Sequence, residues 1–293
     1  MIRIFVLGPE GTNSHEAAKK FSQSLPSEGT FEFCETNREA LERALHDRDS
    51  LAVVPVENGS AGYVGDVLRG FWLAQLAENV LCPLKVEAEL ELPISHHLLV
   101  HRSVSSMEGI EEVISHPQAL EQCSAHLKEL NVRIKADTST AAAAKCIAEG
   151  EHLKKAAVAT AFAAKIYGLK ILHANIEDFS SNATRFHLVG RKYMEPTGKD
   201  RTAVMFRLPG RENKAGSLIS SLLITRDKGI NMTQFHSIPV GKLGHYAFYC
   251  EFECHADDEK GLALVSHLRK QSEGQLFILG SFPRFCERKE GEK

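Results

Sequence analysis

Two rhythms of apolar and polar positions run along this chain. Up to about Arg191, short apolar runs at 2–7, 51–55, 112–115, 132–136, 156–159 and 184–189 read as strands. Between them apolar residues recur every three or four positions at 15–21, 38–46, 64–79, 118–130, 140–149 and 161–167, the spacing of one helix face. This alternation predicts α/β units around largely parallel sheet. One stretch departs from it. Lys85, Glu87, Glu89 and Glu91 alternate strictly with Val86, Ala88, Leu90 and Leu92, which predicts a half-exposed strand at a sheet edge or between two lobes.

The stretch from Tyr193 to Asp200 holds Pro196, Gly198 and charge without periodicity, and reads as a linker. Beyond it, strands at 202–208, 230–240, 245–255 and 275–280 and helices at 217–225 and 261–271 follow the order βαββαβ, the ferredoxin-like arrangement.

With 293 residues the chain is long enough for two domains. A net charge of -3 argues against nucleic acid as the main partner, which calls for a basic face. No apolar run reaches membrane-spanning length, and 2–7 reads as a first strand rather than a signal peptide. Seven scattered cysteines, at 34, 82, 123, 146, 250, 254 and 286, do not form a disulfide framework and point to reduced thiols in the cytoplasm. Cys250, Cys254, His245 and His255 raise the question of zinc. However, Tyr246, Phe248, Cys250, Phe252 and Cys254 alternate along one strand face, so the thiols read as core and no metal is expected.

Candidate chemistry gathers at corners where a strand meets a helix, the place where α/β folds bind ligands. Gly8 to Ser14 is such a corner, with Thr12, Asn13 or Ser14 as a cap whose helix amides attract a carboxylate. Glu57 and Asn58 end a buried run. Asn58 both donates and accepts, whereas Glu57 is either an acid or a structural acceptor. Ser115 precedes Pro117, with Gln118 and Gln122 on one helix face beyond it; Ser115 either orients a ligand or caps the helix. Ser139 opens the alanine run 141–144. Thr184, Arg185 and Phe186 place a hydroxyl beside a guanidinium, which suits an anion that must lose a hydroxyl.

Taken in order, these segments resemble prephenate dehydratase, together with the stretches 156–164 and 167–169. The resemblance covers nearly the whole chain. It implies a two-lobed catalytic domain like a periplasmic binding protein at 1–193, with lobe one at about 1–86 and 173–193 and lobe two at about 87–172. It also implies a substrate dianion, prephenate, that loses carbon dioxide and water to give phenylpyruvate without a cofactor. In that reading Thr184 assists the departing oxygen, and Asn58, Ser115 and Gln122 orient the ring. Arg185 holds a carboxylate or braces the cleft. Thr12, Glu57, Gln118, Ser139 and Phe186 complete the binding site. Arogenate is the alternative substrate, and a non-catalytic two-lobed sensor is the alternative class.

The part from 200 to 286 resembles the ACT regulatory domain of the same family. Ala215, Gly216, Ser217 and Leu218 match its ligand loop, and Asn231 and Ser237 lie in its strand motifs. The resemblance implies L-phenylalanine or another amino acid as effector and a homodimer or homotetramer. Three departures stand out. His236 and Ile238 replace the acidic and basic residues of a Glu-Ser-Arg-Pro motif, which implies weak or altered phenylalanine control. Gly59 stands where the family carries Ser or Thr, with Ser60 as a substitute, and Asn13 replaces an aromatic residue.

Overall fold

The computed structural model describes residues 1–77, 83–150, 153–179, 181–208 and 215–285. Cys82, Cys286 and the expected end of a helix at 78–79 lie outside them. The first lobe begins β1 (Ile2–Leu7), α1 (Asn13–Gln23), β2 (Gly29–Cys34), α2 (Asn37–His46), β3 (Ser50–Asn58), β4 (Gly62–Tyr63) and α3 (Gly65–Leu76). Strand β5 (Lys85–Pro93) then leads to a second lobe. Its elements are β6 (His97–Val100), β7 (Glu112–Ser115), α4 (Pro117–Gln122), α5 (Ser124–Glu129), β8 (Arg133–Ala136), α6 (Thr140–Glu149), β9 (Lys155–Ala159), α7 (Ala161–Tyr167) and β10 (Lys170–His173). Strand β11 (Ala183–Gly190) returns. The C-terminal unit follows as β12 (Asp200–Phe206), α8 (Ser217–Lys228), β13 (Met232–Pro239), β14 (Tyr246–Phe252), α9 (Glu259–Gln271) and β15 (Leu276–Phe285).

The second lobe has its own sheet, ordered β10-β6-β9-β7-β8. The first lobe and the C-terminal unit share one sheet, ordered β13-β14-β12-β15-β5-β11-β3-β1-β2, with β4 paired to β3. The chain crosses between lobes on the antiparallel neighbours β5 and β11, which gives the two-lobed architecture of a periplasmic binding protein. β5 stays in the first sheet as far as Pro93, past the expected 86/87 boundary.

Strand β5 corrects the expectation of a half-exposed strand. It sits between β15 and β11, with Glu87 and Glu89 buried. On the charged face Glu89 pairs with Arg201 of the C-terminal unit, Lys85 donates to the Ile278 carbonyl, Glu87 accepts the Lys192 amide, and Glu91 stays exposed. The helix expected at 118–130 is also broken, at Cys123 (φ -113°, ψ 17°). There the Asp178 carboxylate accepts from Ser124 Oγ and the Ala125 amide, and the Asp178 amide donates to the Gln122 carbonyl. These bonds replace those lost at the break. Strands β2 and β10 are edge strands with partly exposed residues, so their apolar signal is weak.

The C-terminal sheet is buried on both faces. Val204, Phe206, Cys250 and Phe252 pack toward Leu264 and Leu268 of α9. Ala203, Met205, Tyr249 and Phe282 pack toward Phe71 and Trp72 of α3 and Val189 of β11. Cys250 and Cys254 are core thiols, as their alternation predicts; burial pushes the Cys254 thiol up to about 11. Among the described residues no helix is long and apolar enough to cross a membrane.

Candidate active site

Between the lobes lies a cavity of about 560 Å³. The first lobe contributes Thr12, Asn13 and Ser14 at the start of α1, Asn58 at the end of β3, Tyr63, Gly65 at the start of α3, and Asn182, Thr184 and Phe186. The second contributes His96, His116, Gln118, Gln122, and Ser139 and Thr140 at the start of α6. No Arg, Lys, Asp or Glu stands among the described lining residues. Positive potential for an anion therefore comes from the helix starts of α1, α3 and α6, whose leading amides carry partial positive charge.

The β1–α1 corner needs glycine. Gly11 has φ +84°, and a Cβ there would lie 2.9 Å from Tyr167 of the second lobe. Thr12 caps α1, donating to the Leu7 carbonyl and accepting the His15 amide, so its hydroxyl is committed to the fold. Ser139 caps α6 in the same way, accepting from Ala142 at 3.0 Å, and keeps its own hydrogen free.

Asn58 organises the floor. Its Oδ1 accepts from the amides of Ser60 and Ala61, which fixes the orientation of the side chain. Its Nδ2 then donates to Asn182 Oδ1 at 3.1 Å and to Thr184 Oγ1 at 2.8 Å. Because Thr184 Oγ1 accepts this bond, its hydrogen is left to donate elsewhere. Thr184 is 7% exposed and lines the cleft. Gln118 Nε2 reaches across to Asn58 Oδ1 at 3.4 Å, and Tyr167 Oη donates to the Glu10 carbonyl, so the lobes touch on two sides.

Three expected site residues do not line the cleft. Ser115 is fully buried and donates to the Val158 carbonyl at 2.6 Å, tying β7 to β9. Arg185 and Glu57 point to the opposite face of the sheet, because successive side chains of a strand alternate. Arg185 meets Glu57 (3.3 Å), Glu89 (3.1 Å) and Glu251 of β14 (2.5 Å). Glu57 accepts from Gln234 of β13 at 2.7 Å. Arg201 pairs with Glu89 from the C-terminal unit at 2.8 Å. Burial pushes the Glu89 carboxyl up, and Arg201 and Arg185 pull it back. Arg185 is thus a brace between units and not a carboxylate grip.

Ala215, Gly216, Ser217 and Leu218 sit at the start of α8, where Gly216 has φ +85°. Asn231 precedes β13 and donates to Glu253, while exposed Ser237 lies six positions along, about 20 Å of extended strand. One chain therefore does not bring Ser237 to the Asn231 end. His236 and Ile238 face the first lobe: the His236 ring stacks on Tyr63 at 4.4 Å and Ile238 is buried beside α3. Ser60 is exposed and outside the cleft lining, so it does not replace the hydroxyl that Gly59 lacks.

His96, Asn182 and Tyr63 line the cleft, though sequence reasoning assigned none of them to the site. His96 reads as the start of a buried strand, and nothing in the sequence separates it from His97, which accepts the Asn175 amide at 3.0 Å. His96 Nε2 lies 2.9 Å from Gln122 Oε1. Buried Asn13 Oδ1, His96 Nδ1 and Gln122 Nε2 have no hydrogen-bond partner among the described residues.

These features define a two-lobed α/β protein whose interlobe cleft suits a small anion and is lined by amides, imidazoles and hydroxyls, Thr184 and Ser139 among them with the acceptor side occupied. Comparison with known proteins makes the class specific. The prephenate dehydratase family model matches residues 4–194, and the chain belongs to that family. It is 34% identical over 280 residues to a prephenate dehydratase of Methanocaldococcus jannaschii, covering 94% of this chain and 96% of that one. It is 35% identical to arogenate dehydratase/prephenate dehydratase 2 of Arabidopsis thaliana, covering 96% of this chain and 73% of that one. The crystal structure of a prephenate dehydratase from Arthrobacter aurescens, in complex with L-Phe, superposes with a TM-score of 0.81 at 29% identity, covering 97% and 90% of the two chains.

Proposed function

We propose that this protein is a hydro-lyase that converts prephenate to phenylpyruvate in L-phenylalanine biosynthesis. The observation that carries the reading is the Asn58–Thr184 hydrogen bond, which leaves a hydroxyl hydrogen to be donated inside an anion-attracting cleft. In the reaction the bond from the ring to its carboxylate breaks, and its electron pair enters the ring. The bond from the opposite ring carbon to the hydroxyl oxygen breaks as the ring becomes aromatic. Carbon dioxide and hydroxide depart, and the hydroxide takes up a proton to become water. A threonine hydroxyl is too weak an acid to supply that proton outright. Thr184 instead stabilises the negative charge growing on the leaving oxygen.

The assay is direct: purified protein, prephenate, and the alkaline ultraviolet absorbance of phenylpyruvate. Thr184→Ala lowers turnover by about a hundredfold or more with the fold intact, because one oriented donor is lost. Thr184→Ser keeps much of it. Near-normal turnover in the alanine variant removes the role; silence of the wild type favours a binding protein without catalysis.

The Arabidopsis relative is named for both arogenate and prephenate. Arogenate carries an ammonium where prephenate has a ketone. The described cleft lining has no carboxylate to pair with an ammonium, which supports prephenate as the better substrate. Phenylalanine formed from arogenate faster than phenylpyruvate from prephenate would reverse that preference.

The C-terminal unit is read as an ACT regulatory domain at about 200–286, and the catalytic domain as 1–193. With His236 and Ile238 turned toward the first lobe, phenylalanine inhibits weakly or not at all. A tight, saturable inhibition by phenylalanine in the same assay would contradict this. Homo-oligomerisation and a cytoplasmic site of action complete the reading.

A further inference from the structure

Two of the unpartnered cleft atoms belong to one pair. His96 and Gln122 share a hydrogen bond of 2.9 Å, and each is left with one free polar atom, Nδ1 of His96 and Nε2 of Gln122. If His96 carries its proton on Nε2, it donates to the Gln122 carbonyl. Nδ1 is then a bare acceptor, and the Gln122 amide has N–H to offer. If the amide is turned over, it donates to Nε2; Nδ1–H is then the free donor and the carbonyl the free acceptor. Both arrangements leave the pair with one unused donor and one unused acceptor.

His96 is 4% exposed, and burial lowers its pKa, opposed by the bond to Gln122 and by Glu177. The Glu177 carboxylate accepts the His96 amide at 2.9 Å, His97 is the adjacent ring, and His116 lines the same cleft.

We propose that His96 and Gln122 act as one hydrogen-bonded unit that positions the ring hydroxyl of the substrate. The inference rests on prephenate as that substrate. Both its carboxylates and its ketone only accept hydrogen bonds. Its ring hydroxyl alone both donates and accepts, so it alone uses both free atoms. The second lone pair of the same oxygen remains for Thr184. His96 thereby joins Thr184 as a determinant of which oxygen leaves.

The test compares prephenate turnover with inhibition by phenylpyruvate, the product, which lacks the hydroxyl. Gln122→Met and His96→Leu each lower kcat/KM for prephenate by about tenfold or more, as expected for a buried polar group left unpaired. Their inhibition constants for phenylpyruvate change less than about twofold, and either variant suffices. In Gln122→Glu both free atoms are acceptors until a proton binds the pair. Its kcat/KM therefore rises as pH falls from about 8 to about 6, and that of Gln122→Met does not. Equal loss of phenylpyruvate binding in the Met and Leu variants would show a merely structural pair and overturn the proposal. So would unchanged kcat/KM, or a pH response of Gln122→Glu that phenylpyruvate binding follows equally. A wild-type protein that forms no phenylpyruvate is a separate result, which removes the functional reading and this inference with it.

Discussion

A hydroxyl at position 184 gains its direction from a neighbour 126 positions away, because Asn58 occupies its acceptor side. Thr184 and Asn58 were legible in the sequence as residue types suited to the chemistry. Ser115 was equally suitable as a type, yet its hydroxyl is spent on the Val158 carbonyl in the sheet. His187 of β11 shows another kind of commitment. Its ring is fully buried beside Phe282, with neither nitrogen hydrogen-bonded to a described residue. Burial, then the charges of Arg185 and Arg201, hold its pKa well below 6.5; Glu251 lies 3.8 Å away. As pH falls below 6.5 the unfolded chain takes up this proton first, so the stability His187 contributes above that value is lost on acidification. His187→Phe should reduce the slope of unfolding free energy against pH below 6.5 by as much as about 1.4 kcal/mol per pH unit. Urea titrations at several pH values would measure it, and an unchanged slope would contradict the assignment.

Strands β3 and β11 work back to back. Asn58 and Thr184 face the cleft, while Glu57 and Arg185, one residue before and one after, face the C-terminal unit. The two-residue period of a strand therefore divides a single motif between the cleft and interdomain contact. Arg185 is 11% exposed among Glu57, Glu89 and Glu251. Arg185→Met leaves buried Glu89 and Glu251 to share Arg201, and should cost roughly 3–5 kcal/mol of stability, read by denaturant unfolding. Under conditions where the variant stays folded, KM for prephenate should remain within about threefold of wild type, since no substrate contact is removed. A KM rise of about a hundredfold or more would restore the carboxylate-binding role. Element types were largely legible because most helices and most strands carry the period of their buried face. The central position of β5 was not, because strict charge alternation looks the same whether its partner is water or arginine.

Across the whole molecule, one sheet runs from β13 to β2, and β15 pairs in parallel with β5. A shared core joins Phe71, Trp72 and Val189 to Met205, Tyr249 and Phe282. The first lobe and the C-terminal unit should therefore unfold together. Truncation after Tyr193 would expose the edge of β5 and this apolar face, giving an aggregation-prone product. In calorimetry the full chain should show no separate melting of the C-terminal unit. An independent low-temperature transition, or a soluble and fully active truncated protein, would contradict that coupling.

The sequence by itself determined the α/β alternation, the βαββαβ order after the linker, and the strand-to-helix corners that line the cleft. Those are local properties, written in periodicity, capping residues and glycines. Tertiary structure alone decided which polar atoms remain free: Thr184 and the His96–Gln122 pair in the cleft, but neither Ser115 nor Arg185. A side chain's availability depends on what folds against it, and in this molecule those partners come from distant strands and from the other lobe.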